Sequence, residues 1–130
     1  MDRFEKKRIT DIARKYLGQK MEFGVNDCNL LFSEIYAPEV HEALKGSYTD
    51  PEDGMRLCKH LFGFSSVKKY MTQEGWQVKQ HGFASFGDVF LHGSDLMLCM
   101  GAKTLLIKDG VYVLADTRRL PTSLNPRGRT

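Results

Sequence analysis

Apolar residues recur at helical spacing from the start of the chain to about Gly75, and at alternating positions after Trp76. Ile9, Ile12, Ala13, Tyr16 and Leu17 mark an amphipathic helix over residues 2–17, which Gly18 ends. Leu30, Leu31, Phe32 and Ile35 give a second helix, opened by Asp27 as N-cap and stopping near Pro38. Asp50-Pro51 is a cap followed by proline at the first helical position, so a third helix carries Met55, Leu57, Cys58, Leu61 and Phe62. Ser65 or Ser66 caps a short fourth helix through Tyr70 and Met71, closed by Gly75.

The second half reads as strands. Trp76–Lys79, Asp88–His92, Leu96–Met100, Thr104–Ile107 and Val111–Leu114 are short, rich in β-formers, and separated by Gly93-Ser94, Gly101-Ala102 and Lys108-Asp109-Gly110. The last of these is a hairpin signal. Helices first and an antiparallel meander second predict an α+β fold.

With 130 residues, 42% hydrophobic and 27% charged, the chain suits one globular domain, expected over residues 1–117. No apolar run suggests a membrane span, and Met1-Asp2-Arg3-Phe4-Glu5-Lys6-Lys7-Arg8 has no signal-peptide pattern, so no membrane partner or secretory export is expected. The three cysteines, Cys28, Cys58 and Cys99, are too widely spaced for a disulfide framework or a Cys-x-x-Cys metal site. The net charge of +3 is mild, but residues 118–130 carry Arg118, Arg119, Arg127 and Arg129 with no acid. That segment reads as a basic C-terminal arm, either solvated or docking on a partner. A dense basic face with interleaved aromatics is missing, so nucleic acid is not expected as a partner.

Candidate chemistry centres on Phe23-Gly24-Val25-Asn26-Asp27-Cys28. A thiol in the first turn of a capped helix lies in the positive end of the helix dipole beside unpaired N–H groups, which favours the thiolate. The alternative is a small buried residue, since cysteine packs well in cores. Cys58 and Cys99 lie on apolar faces and read as core, and Trp76 reads as a core or interface anchor. His41 and His60 read as surface or satisfied histidines. No glycine-rich phosphate loop or metal-ligand spacing is present, so neither a cofactor nor a metal is expected.

A cysteine opening a helix ahead of an antiparallel sheet resembles the papain-like cysteine peptidases. Residues Gly24 to Leu31 resemble the nucleophile region of the NlpC-type cell-wall peptidases, and Gly87-Asp88-Val89-Phe90-Leu91 resembles the strand that opens their sheet. The order Phe23-Gly24…Asp27-Cys28, Gly46-Ser47-Tyr48, Gly87-Asp88-Val89 and the strand Gly110–Leu114 is similar to a branch found among phage and prophage tail genes. The resemblance spans roughly residues 15 to 120. It implies a papain-like fold with N-terminal helices packed on a C-terminal sheet, and Cys28 as nucleophile.

It also implies a histidine at the start of the strand after Gly87–Leu91, and that position falls on Asp95. A carboxylate there cannot form a thiolate–imidazolium pair, and its charge would raise the thiol pKa. His92, three residues earlier, is the substitute base, with His81 a weaker one. Asp88 reads as an acceptor for loop N–H groups or as the group that orients a histidine. Two functions follow from the resemblance. One is a catalytically degenerate structural protein of a phage tail or its assembly, made in the host cytoplasm, with other tail proteins as partners through the 118–130 arm. The other is a cysteine hydrolase acting on peptidoglycan peptides.

Overall fold

A computed structural model of the chain describes residues 1–129. The described residues form a mixed α+β protein of five α-helices, two short 3-10 turns and six strands, divided into two compact units: residues 1–20 with those from 75 onward, and residues 21–74. No division between these units falls at residue 117, where the boundary between a domain over 1–117 and an arm over 118–130 was expected. Thr130, the last residue of that expected arm, lies outside the described residues.

The first unit holds helix α1 (Arg3–Tyr16) and all six strands: β1 (Gln77–Val78), β2 (Val89–His92), β3 (Asp95–Cys99), β4 (Lys103–Lys108), β5 (Val111–Asp116) and β6 (Pro126–Gly128). Asp2 caps α1 by accepting from the Glu5 N–H at 2.8 Å, and Ile9, Ile12, Ala13 and Tyr16 form its buried stripe. Neighbouring strands all run antiparallel in the order β1-β6-β2-β3-β4-β5. The meander β2 to β5 follows the expected spacing, with Asp109 at φ 52° and Gly110 at φ 78° closing its last hairpin.

Strand alternation gives the sheet two apolar faces. One carries Val89, Leu98, Leu105 and Tyr112, all nearly inaccessible. The Tyr16 ring meets Tyr112 edge-on at 5.4 Å, and the chain leaving α1 runs along β5, where Gly18 N–H donates to the Tyr112 carbonyl. The other face carries Phe90 and Cys99, covered by Leu120 and Leu124.

Those two leucines belong to the segment expected as a free arm. It folds back over the sheet, and β6 then enters between β1 and β2: Val78 pairs with Arg127, and Val89 pairs with Arg127 on the other side. Pro126 and Gly128 are buried as a result. The segment's apolar residues, Leu120 and Leu124, outweigh its arginines in deciding where it lies. Arg129 ends in an ion pair with Glu5 of α1.

The second unit holds α2 (Cys28–Tyr36), α3 (Pro38–Leu44), α4 (Pro51–Phe62) and α5 (Val67–Gln73). Asp50 caps α4 and Ser66 caps α5, each accepting from the backbone N–H three residues on. Helix α2 ends at Tyr36, near Pro38 as expected, and Pro38 itself starts the unexpected α3: proline at a first helical position lacks only an N–H that has no helical partner there. Leu30, Ala37, Val40, Leu44 and Cys58 make the core, with Phe62, Phe64 and Tyr70 packed on it.

Candidate functional site

Cys28 is the first residue of α2, in the position expected of it. The turn before it is built on the Asp27 side chain, which is 3% exposed. Its Oδ1 accepts from the Leu30 N–H at 3.1 Å, closing the helix start. Its Oδ2 accepts from the Gly24 N–H at 2.8 Å and from the Tyr48 hydroxyl at 2.5 Å. A carboxylate that accepts from three donors is a rigid cap.

Tyr48 arrives from the connection between α3 and α4, and two glycines admit it. Gly24, at φ +80°, passes so close that an added Cβ would sit 1.8 Å from the Tyr48 carbonyl oxygen. Gly54, inside α4, lies beneath the Tyr48 ring, where a Cβ would fall 2.9 Å from it. Gly46 N–H donates to the Gly24 carbonyl at 2.8 Å and ties the same two segments. The three short motifs Phe23-Gly24, Asp27-Cys28 and Gly46-Ser47-Tyr48 thus meet in one assembly. Burial, and then the hydrogen bond to the Asp27 carboxylate, push the Tyr48 phenol far above its ordinary pKa. It stays a neutral donor. This partnership, across 21 residues of sequence, was missed by local pattern; only the Gly-x-Tyr motif hinted at it.

His41 is buried in the same unit. Its Nδ1 lies 3.1 Å from the Leu30 carbonyl and its Nε2 3.8 Å from Glu34 Oε1. At about 100° of rotation per residue, Leu30 and Glu34 sit roughly 200–240° around α2 from Cys28. His41 therefore faces away from the thiol, as a satisfied core histidine. His60 is exposed on α4. A cleft of about 70 Å³ opens beside Asp27 and Tyr48, walled mainly by Phe23, Phe32, Met55 and Cys58.

In the first unit, Asp88 is 5% exposed just ahead of β2. Its Oδ2 accepts from Lys79 Nζ at 2.7 Å and from the Ser85 N–H at 2.8 Å, with Gly128 pressed against its Oδ1 side. Asp88 thus accepts from a loop N–H and from the Lys79 ammonium. His92 ends β2 four residues later, roughly 13 Å along the strand. His81 Nδ1 lies 2.8 Å from the Leu124 carbonyl and its ring packs near Phe90, so it anchors the covering segment.

Asp95 opens β3, the place where the resemblance requires a histidine. It is directly opposite His92 across the β2–β3 turn. Both are exposed, and with Met97 and Leu106 they line a cleft of about 200 Å³.

Cys58 and Cys99 are buried, and burial raises both thiols above their ordinary pKa. They are packing residues, as expected. Trp76 is half-buried. Among the described residues no three His, Cys, Asp or Glu side chains gather as a metal site requires, and no helix is long and apolar enough to cross a membrane. No protein-family profile, curated protein or solved structure matches the chain significantly.

Proposed function

We propose that this chain is a structural component of a phage tail or its assembly machinery, built on an NlpC-type papain-like fold whose catalytic machinery has decayed. The observation that carries the reading is Asp95 at the first position of β3. An NlpC-type enzyme would place its base there, and an exposed carboxylate cannot generate a thiolate. The engagement of Asp88 with Lys79 and Ser85 supports the same reading, because it commits that carboxylate to loop and lysine donors rather than to an imidazole. Meanwhile the elements that shape the nucleophile turn are retained as a tightly bonded scaffold. The protein would be made in the host cytoplasm and join other tail proteins. Quantitative mass spectrometry of purified virions and tail intermediates tests this: stoichiometric presence is expected, and absence from both sinks it.

A second reading is favoured by one specific observation, the placement of Cys28 at the Asp27-capped start of α2. In that reading the protein is a cysteine hydrolase of cell-wall peptides, with Cys28 as nucleophile and His92 as base. The backbone N–H of Cys28 and a neighbour would stabilise the oxyanion. Incubation with purified muropeptides decides it: cleavage abolished by both Cys28→Ala and His92→Ala is the required result.

A further inference from the structure

We propose that Tyr48 is a positioning residue for Cys28: by donating to Asp27 it holds and shields the carboxylate that borders the thiol. The inference deepens the second reading, in which Cys28 is chemically competent, and rests on it.

The argument starts from an opposition at the start of α2. The positive end of the helix dipole favours a thiolate at Cys28. The neighbouring Asp27 is a negative charge removed from water, and a like charge disfavours the thiolate. The net effect depends on how well the carboxylate is neutralised by donors and which way it points. Its Oδ1 serves the helix through the Leu30 N–H, and its Oδ2 is drawn back by Gly24 and Tyr48. Of these three donors only the Tyr48 hydroxyl is a side chain, so it alone can be removed without altering the backbone.

The setting of Tyr48 is specific to this task. Gly24 allows its backbone to approach and Gly54 makes room for its ring, so the hydroxyl has little freedom to point elsewhere. Burial keeps it protonated and therefore always a donor. Within the unit, Tyr48 has Asp27, Cys28 and Cys58 as ionisable neighbours, exposed Glu22 opens the same turn, and His41 and Glu34 meet on another face of α2. Tyr48 therefore acts on the thiol through Asp27, with no need to touch it.

The test is peptide-resolved iodoacetamide labelling of the full chain as a function of pH, in wild type, Tyr48→Phe and Asp27→Asn. Tyr48→Phe unshields the carboxylate, so the Cys28 labelling midpoint rises and its rate at neutral pH falls by about threefold or more. Asp27→Asn removes the charge but retains a capping oxygen, so the midpoint moves down. A purely structural tyrosine would move neither midpoint, or both upward together, and either result overturns the proposal. Cys58 and Cys99 report folding in the same digest, since they label slowly only while buried. If Tyr48→Phe exposes them, Gly54→Ala provides the second route: it displaces the ring while keeping the hydroxyl, and must also raise the midpoint. The hydrolase reading fails separately. Opposite shifts in a protein that cleaves no muropeptide sink the enzyme and retain the role of Tyr48; absent shifts sink that role whatever the activity.

Discussion

Lys79 reaches Asp88 at 2.7 Å, a contact that joins the residue following β1 to the residue preceding β2 while β6 passes between those strands. The Asp88 side chain is 7% exposed and that of Lys79 30%. A carboxylate this well covered depends on its partners, because an uncompensated buried charge is far costlier than a broken surface pair. Asp88→Ala strands the Ser85 N–H and the ammonium together. It should cost about 2–3 kcal/mol in urea unfolding, and Lys79→Met about 1–2 kcal/mol. Equal, near-zero effects would mean the pair is solvated.

Gly24 and Gly18 offer a matched comparison. Both have φ near +80°, but an added Cβ meets the Tyr48 carbonyl at Gly24 and nothing within 4 Å at Gly18. Gly18→Ala should cost only the left-handed strain, about 1–2 kcal/mol. Gly24→Ala must also separate two backbone segments, so it should cost about 3 kcal/mol or more, or prevent folding. Thermal melts of the two variants check this; similar losses would mean the Gly24–Tyr48 approach adapts easily.

Removing residues 118–130 tests the expected domain boundary. A solvated arm would be dispensable. Here its loss uncovers Phe90 and Cys99 and separates β1 from β2. The shortened chain should lose its cooperative melt, and Cys99 should become as reactive as a free thiol. A native-like melt with Cys99 still protected would show that the sheet closes without β6.

Stability should hold a plateau between weakly acidic and weakly basic pH. Burial raises Cys58 and Cys99 above an ordinary thiol value of 9.0, and Tyr48 above 10.0. The unfolded chain therefore ionises these groups first, and stability falls as pH rises through and past those values. At the other end Asp11, held down by Lys7, Asp50, held down by the Asp53 N–H, and Asp116, held down by Lys103, sit below 3.8. Their contribution is present above that value and is lost as pH falls through their lowered pKa values. Urea midpoints across pH read both slopes.

Several helix starts were readable because each is marked by its own cap: Asp27 and Asp50 accept the first-turn N–H expected of them, and of Ser65 and Ser66 it is Ser66 that does so. The meander was readable for a similar reason, its turns being local. Pro38 marked the end of α2 correctly but hid α3, because the same residue suits a helix's first turn and only the packing of Val40 and Leu44 reveals the helix that follows. Strand β6 carries no strand signature at all. Asn125-Pro126-Arg127-Gly128 reads as a turn, and it becomes a strand through the long-range donation of Lys79 N–H to the Pro126 carbonyl at 2.8 Å and through its neighbours on both sides. The site divides likewise. The capped thiol was local and visible, whereas the tyrosine that secures the cap and the lysine that claims Asp88 lie 21 and 9 residues away.

The place of β6 has a consequence for the order of events during synthesis. Ribosomes deliver β1 and β2 well before residues 126–128, yet those two strands are not neighbours in the finished sheet. Until β6 emerges, β2 presents an unsatisfied hydrogen-bonding edge beside the bare Phe90 face, the kind of surface that recruits foreign strands. The nascent chain must hold that slot open and unoccupied. Its window of greatest vulnerability, and of greatest need for a chaperone, therefore lasts until residues 126–128 have emerged.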